Sequence, residues 1–194
     1  YLATLNQRIP VLYLDDMETD TYPVSAVLHY GLRADYDTYF KSKDRFVMVT
    51  SNCLTGKAEY FEEKKDKKRL VDICKASCTL PVLCPITYVD GIPMVDGGVC
   101  DAIPIRRAIA DGFSKNVIIL TRNKGYRKEE KDFYLPGFIY NKYPAIREQL
   151  RLRYRRYNEV LDYIDQLEAE GEAFVIRPQN PIKVGRTGSD TKKL

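Results

Sequence analysis

The 194-residue chain has a hydrophobic content of 44%, which is enough to build a folded domain with a substantial core and excludes a disordered protein. Its longest apolar runs, such as residues 117–120, have the length of one strand and fall far short of the roughly 20 residues that cross a bilayer. The net charge of +4 is uneven, because residues 122–156 carry 11 Lys or Arg against 4 Asp or Glu. Such a basic stretch indicates a surface that could meet phosphate groups.

The first 45 residues contain short apolar pieces without a sustained period, and no signal peptide opens the chain. Because Tyr1-Leu2-Ala3 lacks an initiator Met and a basic n-region, we expect the true N-terminus, with any targeting signal, to precede Tyr1. His29 is the sole histidine, and a surface or core role is expected for it rather than catalysis. Cys74 and Cys78 lie four residues apart on a predicted helix and could share a metal. Free thiols in a reducing cytosol are the simpler interpretation, so no metal is expected.

From Phe46 onward the elements become readable. A first hairpin is predicted from two strand-like runs around a turn at Gly56, and a helix follows that Pro81 should stop. A second hairpin turns at Asp90-Gly91, a strong two-residue turn signal. The predicted segments up to residue 121 are strands 46–50 and 58–61, a helix ending near 77, strands 86–89 and 92–95, a short helix after Pro104 that ends at Gly112, and strand 117–121.

A long helix is predicted to begin at Pro144 and to end at Gly171, before a last strand at residues 174–176. Residues 185–194 are polar and are expected to fray. The order of strands and helices predicts an α/β layered domain with a mixed sheet, and one domain over residues 1–194. The apolar stripe of the long helix consists of Ile146, Leu150, Tyr154, Tyr157, Leu161, Ile164 and, at its fading end, Glu168.

The segment with the strongest chemical signal is Met94-Val95-Asp96-Gly97-Gly98. An acidic residue leaves a predicted buried strand and meets two glycines, which let the backbone turn and let another element approach closely. A carboxylate at a strand end lies where α/β enzymes usually place reacting groups. By itself the sequence Asp-Gly-Gly leaves three interpretations open: a structural turn, a catalytic base, and a metal or sugar contact.

Around Asp96 an ordered set of pieces follows along the chain: Thr50, the run 55–61, Ala76-Ser77 with Pro81, the hairpin 86–95, Asp96-Gly97-Gly98 and Ile103-Pro104. This ordered set resembles the C-terminal half of patatin-like phospholipases. Gly125-Tyr126-Arg127 and Arg156-Tyr157-Asn158 further resemble a bacterial branch of that family with an extended C-terminal region. The resemblance extends over roughly residues 35–185 and implies a three-layer α/β/α fold, of which this chain would be an incomplete C-terminal portion.

In that family a serine in a G-x-S-x-G elbow attacks an acyl ester and has an aspartate as its partner. The resemblance therefore implies that Asp96 is the catalytic base, that Gly97 and Gly98 shape its turn, and that the substrates are phospholipids or other acyl lipids. It implies no cofactor. Neither G-x-S-x-G nor the glycine-rich oxyanion loop occurs in these 194 residues. We expect both to lie upstream and the chain alone to be inactive. We also expect it either to self-associate through an exposed strand edge or to cover that edge with residues 1–45.

The arginines of the long helix allow a second kind of function. Arg147, Arg151 and Arg155 share one face and are candidates for contact with anionic lipid headgroups. A solvated face and a nucleic-acid surface are the other interpretations, and no nucleic acid is expected. A cytoplasmic, membrane-peripheral location would suit a lipid hydrolase. The alternative to an enzyme is a non-catalytic patatin-derived module that binds a membrane or a partner protein.

Overall fold

A computed structural model describes residues 36–129 and 140–181 of the chain. The predictions for residues 1–35, including His29, and for the tail at 185–194 lie outside the described residues. The helices are α1 Tyr36–Lys41, α2 Lys67–Ser77, α3 Ile105–Ala110 and α4 Pro144–Ala169, and the strands are β1 Met48–Asn52, β2 Ala58–Phe61, β3 Thr87–Val89, β4 Ile92–Asp96, β5 Asn116–Ile119 and β6 Ala173–Ile176.

Four strands form one antiparallel sheet in the order β2-β1-β4-β3. Both predicted hairpins are confirmed as its two outer pairs. At the second hairpin, Asp90 and Gly91 have φ values of 52° and 78°, which is the left-handed backbone that a two-residue turn of this type requires. The sheet therefore places β4, the strand that ends at Asp96, between two neighbours.

The last two strands, β5 and β6, form a separate parallel pair. Parallel neighbours need a crossover, and here α4 supplies it because it lies between the two strands in the chain. The α/β class is confirmed. The antiparallel and the parallel pairings that the sequence predicted both occur, and among the described residues they are divided between two sheets.

Helix α2 covers the antiparallel sheet. Its buried residues Leu70, Ile73 and Ala76 pack in one cluster with Met48 and with residues of β3 and β4. The helix begins because the Asp66 carboxylate accepts hydrogen bonds from two backbone N–H groups of the first turn. It ends at Ser77, four residues before Pro81, and the Thr79 hydroxyl donates to the Lys75 carbonyl at 2.7 Å.

The predicted long helix is confirmed as one continuous helix, α4, of 26 residues with proline in its first turn. Gly171 follows it with a φ of 75°, the conformation that commonly ends a helix. The buried stripe continues through Leu167 where the sequence suggested Glu168, which instead pairs with Arg177. The buried residues are Ile146, Leu150, Tyr157, Leu161, Ile164 and Leu167.

The two halves of α4 belong to different apolar cores. Ile146 and Leu150 pack with Val95 and Val99 on the antiparallel sheet side. The second half, from Tyr157 to Leu167, packs with α3 and with residues of β5 and β6. Because one rigid helix contributes to both cores, α4 joins the two sheets into a single packed body.

No helix within residues 36–129 or 140–181 combines the length and the apolar character that a membrane crossing requires.

Candidate active site at the Asp-Gly-Gly turn

Asp96 is the last residue of β4 and is opposite Thr50 on β1. It is 9% exposed, which is low for a carboxylate, and residues 97–99 continue from it as a single turn of 3₁₀-helix. The sequence prediction that the carboxylate lies at the end of a buried strand is thus confirmed.

The carboxylate of Asp96 is oriented by its own turn. Its Oδ1 accepts a hydrogen bond of 2.8 Å from the backbone N–H of Gly98, as an N-cap residue does. A hydrogen bond from an N–H to a carboxylate is stronger than one between neutral groups. The N–H of Gly98 therefore helps to orient the carboxylate of Asp96.

The backbone of Asp96 is held by two buried residues that the sequence analysis did not single out. The Ser51 hydroxyl donates to the Asp96 carbonyl at 2.8 Å and accepts from the N–H of Cys100 at 3.1 Å, so it links both ends of the turn. The N–H of Asp96 donates to the Thr79 carbonyl at 3.0 Å. The run Thr50-Ser51-Asn52 at the end of β1 could have indicated such contacts in the sequence. Three polar residues buried in one strand need hydrogen-bond partners nearby.

Gly97 is required by the close approach of β1. A Cβ at this position would lie 2.5 Å from the carbonyl oxygen of Val49 and 2.7 Å from its carbonyl carbon. Both atoms belong to the backbone of a paired strand and cannot rotate away. The glycine after the aspartate is therefore fixed by packing, in addition to the turn that it helps to form.

A residue from the far end of the chain also reaches this turn. Arg153 of α4 donates from Nε to the carbonyl oxygen of Gly98 at 2.7 Å. The N–H of the same glycine donates to Asp96. Gly98 is therefore bonded to Asp96 through its N–H and to Arg153 through its carbonyl oxygen. Arg153 lies within the basic stretch 122–156, and the sequence analysis gave it no separate role.

The thiols near the turn are protonated at neutral pH. Cys78 is exposed as a residue, yet the loss of water around its sulfur and, second, the negative charge of Asp96 raise the pKa of its thiol to about 12. Burial likewise raises the pKa of Cys53 to about 12. Since the thiolate is the nucleophilic form, these side chains are poor nucleophiles where they lie.

A second carboxyl group follows the turn. Burial raises the pKa of Asp101 above its ordinary value, while the hydroxyl of Tyr60, which donates to Asp101 Oδ2 at 2.6 Å, lowers it in part. Arg107 lies over the ring of the same tyrosine at 4.6 Å. Asp101 thus has a structural partner on β2, whereas Asp96 is held by the backbone of its own turn.

The three arginines proposed for lipid contact differ in exposure. Arg151 and Arg155 are exposed, and Arg147 is half-buried. Arg151 pairs with Glu148 on its own helix at 2.7 Å, which offsets part of its charge. Of these three arginines, Arg151 and Arg155 therefore face outward.

The two short sequences that resemble the extended branch of the family pack against each other. The rings of Tyr126 and Tyr157 meet edge to face with centroids 6.2 Å apart. Asn158 accepts from the N–H of Lys128 at 2.8 Å and donates to its carbonyl at 3.0 Å. These residues fix the loop after β5 onto α4.

An open cavity of about 290 Å³ lies between the loop after α2 and the segment that enters α4. Its lining is largely apolar and includes Val82, Ile86, Tyr140 and Tyr143. Val82 and Tyr140 have φ values of 73° and 53°, and the hydroxyl of Tyr140 accepts from the N–H of Val82 at 3.2 Å. Positive φ in bulky residues marks a strained segment that its surroundings hold in place.

Metal ligation finds no candidate in the part of the chain that the structure describes, where no group of three or more His, Cys, Asp or Glu could hold an ion. Cys74, which the sequence placed on one helical face with Cys78, contacts the sulfur of Met48 at 3.5 Å.

Comparison with known families gives two matches. The patatin-like phospholipase family model matches residues 11–109, which is about half of the chain and includes the Asp-Gly-Gly turn. A domain of unknown function, DUF6363, matches residues 143–194 and so includes all of α4. A search among curated proteins found no significant match. The first match begins well before the residues that carried the resemblance in the sequence analysis.

We predict that Gly97→Ala lowers the free energy of unfolding by about 3 kcal/mol, since the new Cβ overlaps the backbone of Val49. Gly91→Ala is the matched control: nothing lies within 4 Å of a Cβ there, and its cost of about 1 kcal/mol comes from the positive φ alone. Urea denaturation measures both values. Equal losses in the two variants would contradict the packing explanation.

Proposed function

Since the chain belongs to the patatin-like phospholipase family, we propose that Asp96 is the general base of a Ser-Asp dyad that cleaves carboxylic ester bonds of phospholipids or other acyl lipids. The observation that carries this proposal is the buried carboxylate at the end of β4, with one oxygen held by the N–H of Gly98. A carboxylate held in this way can accept a proton on its other oxygen without reorienting, because the hydrogen bond from Gly98 is already in place.

The proposed reaction proceeds in two halves. The carboxylate of Asp96 accepts the proton of the serine hydroxyl as the serine oxygen forms a bond to the acyl carbon. The ester bond breaks, and the proton passes from Asp96 to the departing alcohol. Water then attacks the acyl-serine, gives its proton to Asp96, and the serine oxygen leaves with that proton. No cofactor enters either half.

The proposal requires a serine that these 194 residues do not contain in a G-x-S-x-G sequence. It also requires donor amides that stabilise the oxyanion. This stabilisation usually supplies a large part of the rate enhancement in acyl transfer. Both would have to come from sequence outside the chain described here. The nucleotide sequence upstream of the codon for Tyr1 is therefore the first observation to make.

An acyl substrate is supported by the apolar cavity described above. The loop that lines it begins at Thr79, whose carbonyl accepts from the N–H of Asp96. The same loop thus connects the aspartate to an apolar surface. Hydrophobic linings with few polar groups are typical of sites that accept apolar ligands.

We predict that Asp96→Asn, in a form of the protein that carries the serine, lowers kcat for a short-chain p-nitrophenyl ester by at least about a hundredfold. The amide keeps the size of the side chain and its bond from Gly98 but cannot accept the proton. The thermal unfolding midpoint should change little.

Asp90→Asn is the matched control, because Asp90 also precedes a glycine but lies exposed in the β3–β4 hairpin. The change gives up an exposed ion pair with Arg69 at 2.8 Å, worth up to about 1 kcal/mol of stability, and should keep kcat within about twofold of the parent. Parent-level hydrolysis by Asp96→Asn would remove Asp96 from the catalytic role.

The non-catalytic alternative is favoured by one observation, the exposure of Arg151 and Arg155 on α4. Cationic side chains near an anionic lipid surface contribute about 1 kcal/mol each. This surface would also serve an enzyme whose substrate lies in a membrane, so membrane contact is compatible with both functions. The absence of ester hydrolysis in a protein that binds vesicles would favour the module.

We predict that Arg151→Glu/Arg155→Glu weakens co-sedimentation with vesicles of phosphatidylserine and phosphatidylcholine by about tenfold or more, since each charge reversal removes an attraction and adds a repulsion. Neutral phosphatidylcholine vesicles should show no difference. Lys43→Glu/Lys115→Glu is the control, because both lysines are exposed and lie outside the basic stretch. Equal binding by parent and Arg151/Arg155 variant would assign these arginines to a solvated face.

Two further proposals concern assembly. We propose that residues 1–194 belong to one domain, because α4 contributes to both apolar cores.

Self-association through an open strand edge also remains a proposal. It would occur at β2 or β3, the outer strands of the four-stranded sheet. Sedimentation equilibrium of the chain decides between a monomer and an oligomer.

A further inference from the structure

The carbonyl of Gly98 receives a charged hydrogen bond from a residue 55 positions away in the chain. Arg153 Nε and this carbonyl oxygen are 2.7 Å apart, which is short for a bond between nitrogen and oxygen. Gly98 in turn donates its N–H to the carboxylate of Asp96 at 2.8 Å. A displacement of Gly98 would therefore move the oxygen of Asp96 that it holds.

The surroundings of Arg153 show why it reaches this turn. Leu150 lies three residues earlier, almost one helical turn, and packs with Val95 and Val99, which flank the Asp-Gly-Gly turn on either side. Apolar packing thus holds this stretch of α4 against the turn, and Arg153 continues the same side of the helix. Its neighbours Arg151 and Arg155 are exposed.

Another half-buried arginine of α4 has partners on the helix itself. Arg156 donates to the side-chain oxygen of Gln149 and to the carbonyl of the same residue at 2.6 Å, so its bonds remain within α4. Arg153 is bonded across the fold to the turn, in a region of the chain that matches a domain of unknown function. This contrast separates a residue that stabilises its own helix from one that acts on the turn.

We propose that Arg153 is a positioning residue for Asp96: it holds Gly98 so that the carboxylate keeps the direction needed to accept a proton from the nucleophile. The inference rests on the proposed function, since it assigns a task at the same site. Glycine has no side chain to anchor the turn, and a guanidinium bond from a rigid helix supplies the missing constraint. A misplacement of about 1 Å at a reacting group can cost roughly a hundredfold in rate.

The test uses the protein that carries the serine and a soluble p-nitrophenyl ester, so that lipid contact by exposed arginines has no part in the result. Arg153→Gln should lower kcat by roughly ten- to a hundredfold and leave KM within about twofold, because orientation and not ester binding is lost. Arg153→Lys keeps a cationic donor and should recover at least part of kcat. Arg127→Gln is the matched control, since Arg127 is exposed and bonds to Asp162 of α4 at 2.6 Å away from the turn.

The outcomes separate this inference from the proposed function. If Asp96→Asn is inactive and Arg153→Gln has the kcat of the parent, the positioning role is wrong and the dyad stands. If Asp96→Asn is fully active, both fail together. Arg153→Met, which keeps the length without the donor, is measured beside Arg153→Gln. Failure of both Arg153→Gln and Arg153→Met to fold would show a structural role only and contradict the inference.

Discussion

The candidate site depends on the close approach of β1 to the Asp-Gly-Gly turn. Gly97 allows the Val49 carbonyl to lie where a Cβ would be, and Ser51 on the same strand bonds to the carbonyl of Asp96. Strand pairing thus brings the polar end of β1 beside the turn, and the turn can adopt its shape because no side chain intervenes. These contacts hold the turn in which the N–H of Gly98 donates to the carboxylate of Asp96.

Helix α4 gives the fold a second level of organisation. It is the crossover between β5 and β6, its first half covers the end of β4, and one of its arginines bonds to the turn. A single rigid element therefore connects the candidate site to the parallel strands. The region that matches the domain of unknown function thus contacts the patatin-like part of the chain at the Asp-Gly-Gly turn, through the bond from Arg153 to Gly98.

The sequence predicted turns and helix ends well, because a few neighbouring residues determine them. Asp90-Gly91 specified a hairpin and Pro144 with Gly171 bounded a helix, because turn and cap conformations depend on a few neighbouring residues. The contacts of Ser51, Thr79 and Arg153 could not be predicted, since each joins residues far apart in the chain and no periodicity encodes its partner. The arginines show this most clearly, because Arg151 and Arg153 look alike in sequence and face different surroundings.

The most direct test of the dyad is a structure of the serine-bearing protein after covalent reaction with a fluorophosphonate. The labelled serine identifies the nucleophile, and its distance to Asp96 shows whether a proton can pass between them. We predict that the serine oxygen lies roughly 3 Å from the carboxylate of Asp96, within hydrogen-bond reach. A labelled serine bonded to another base, with Asp96 out of reach, would contradict the assignment.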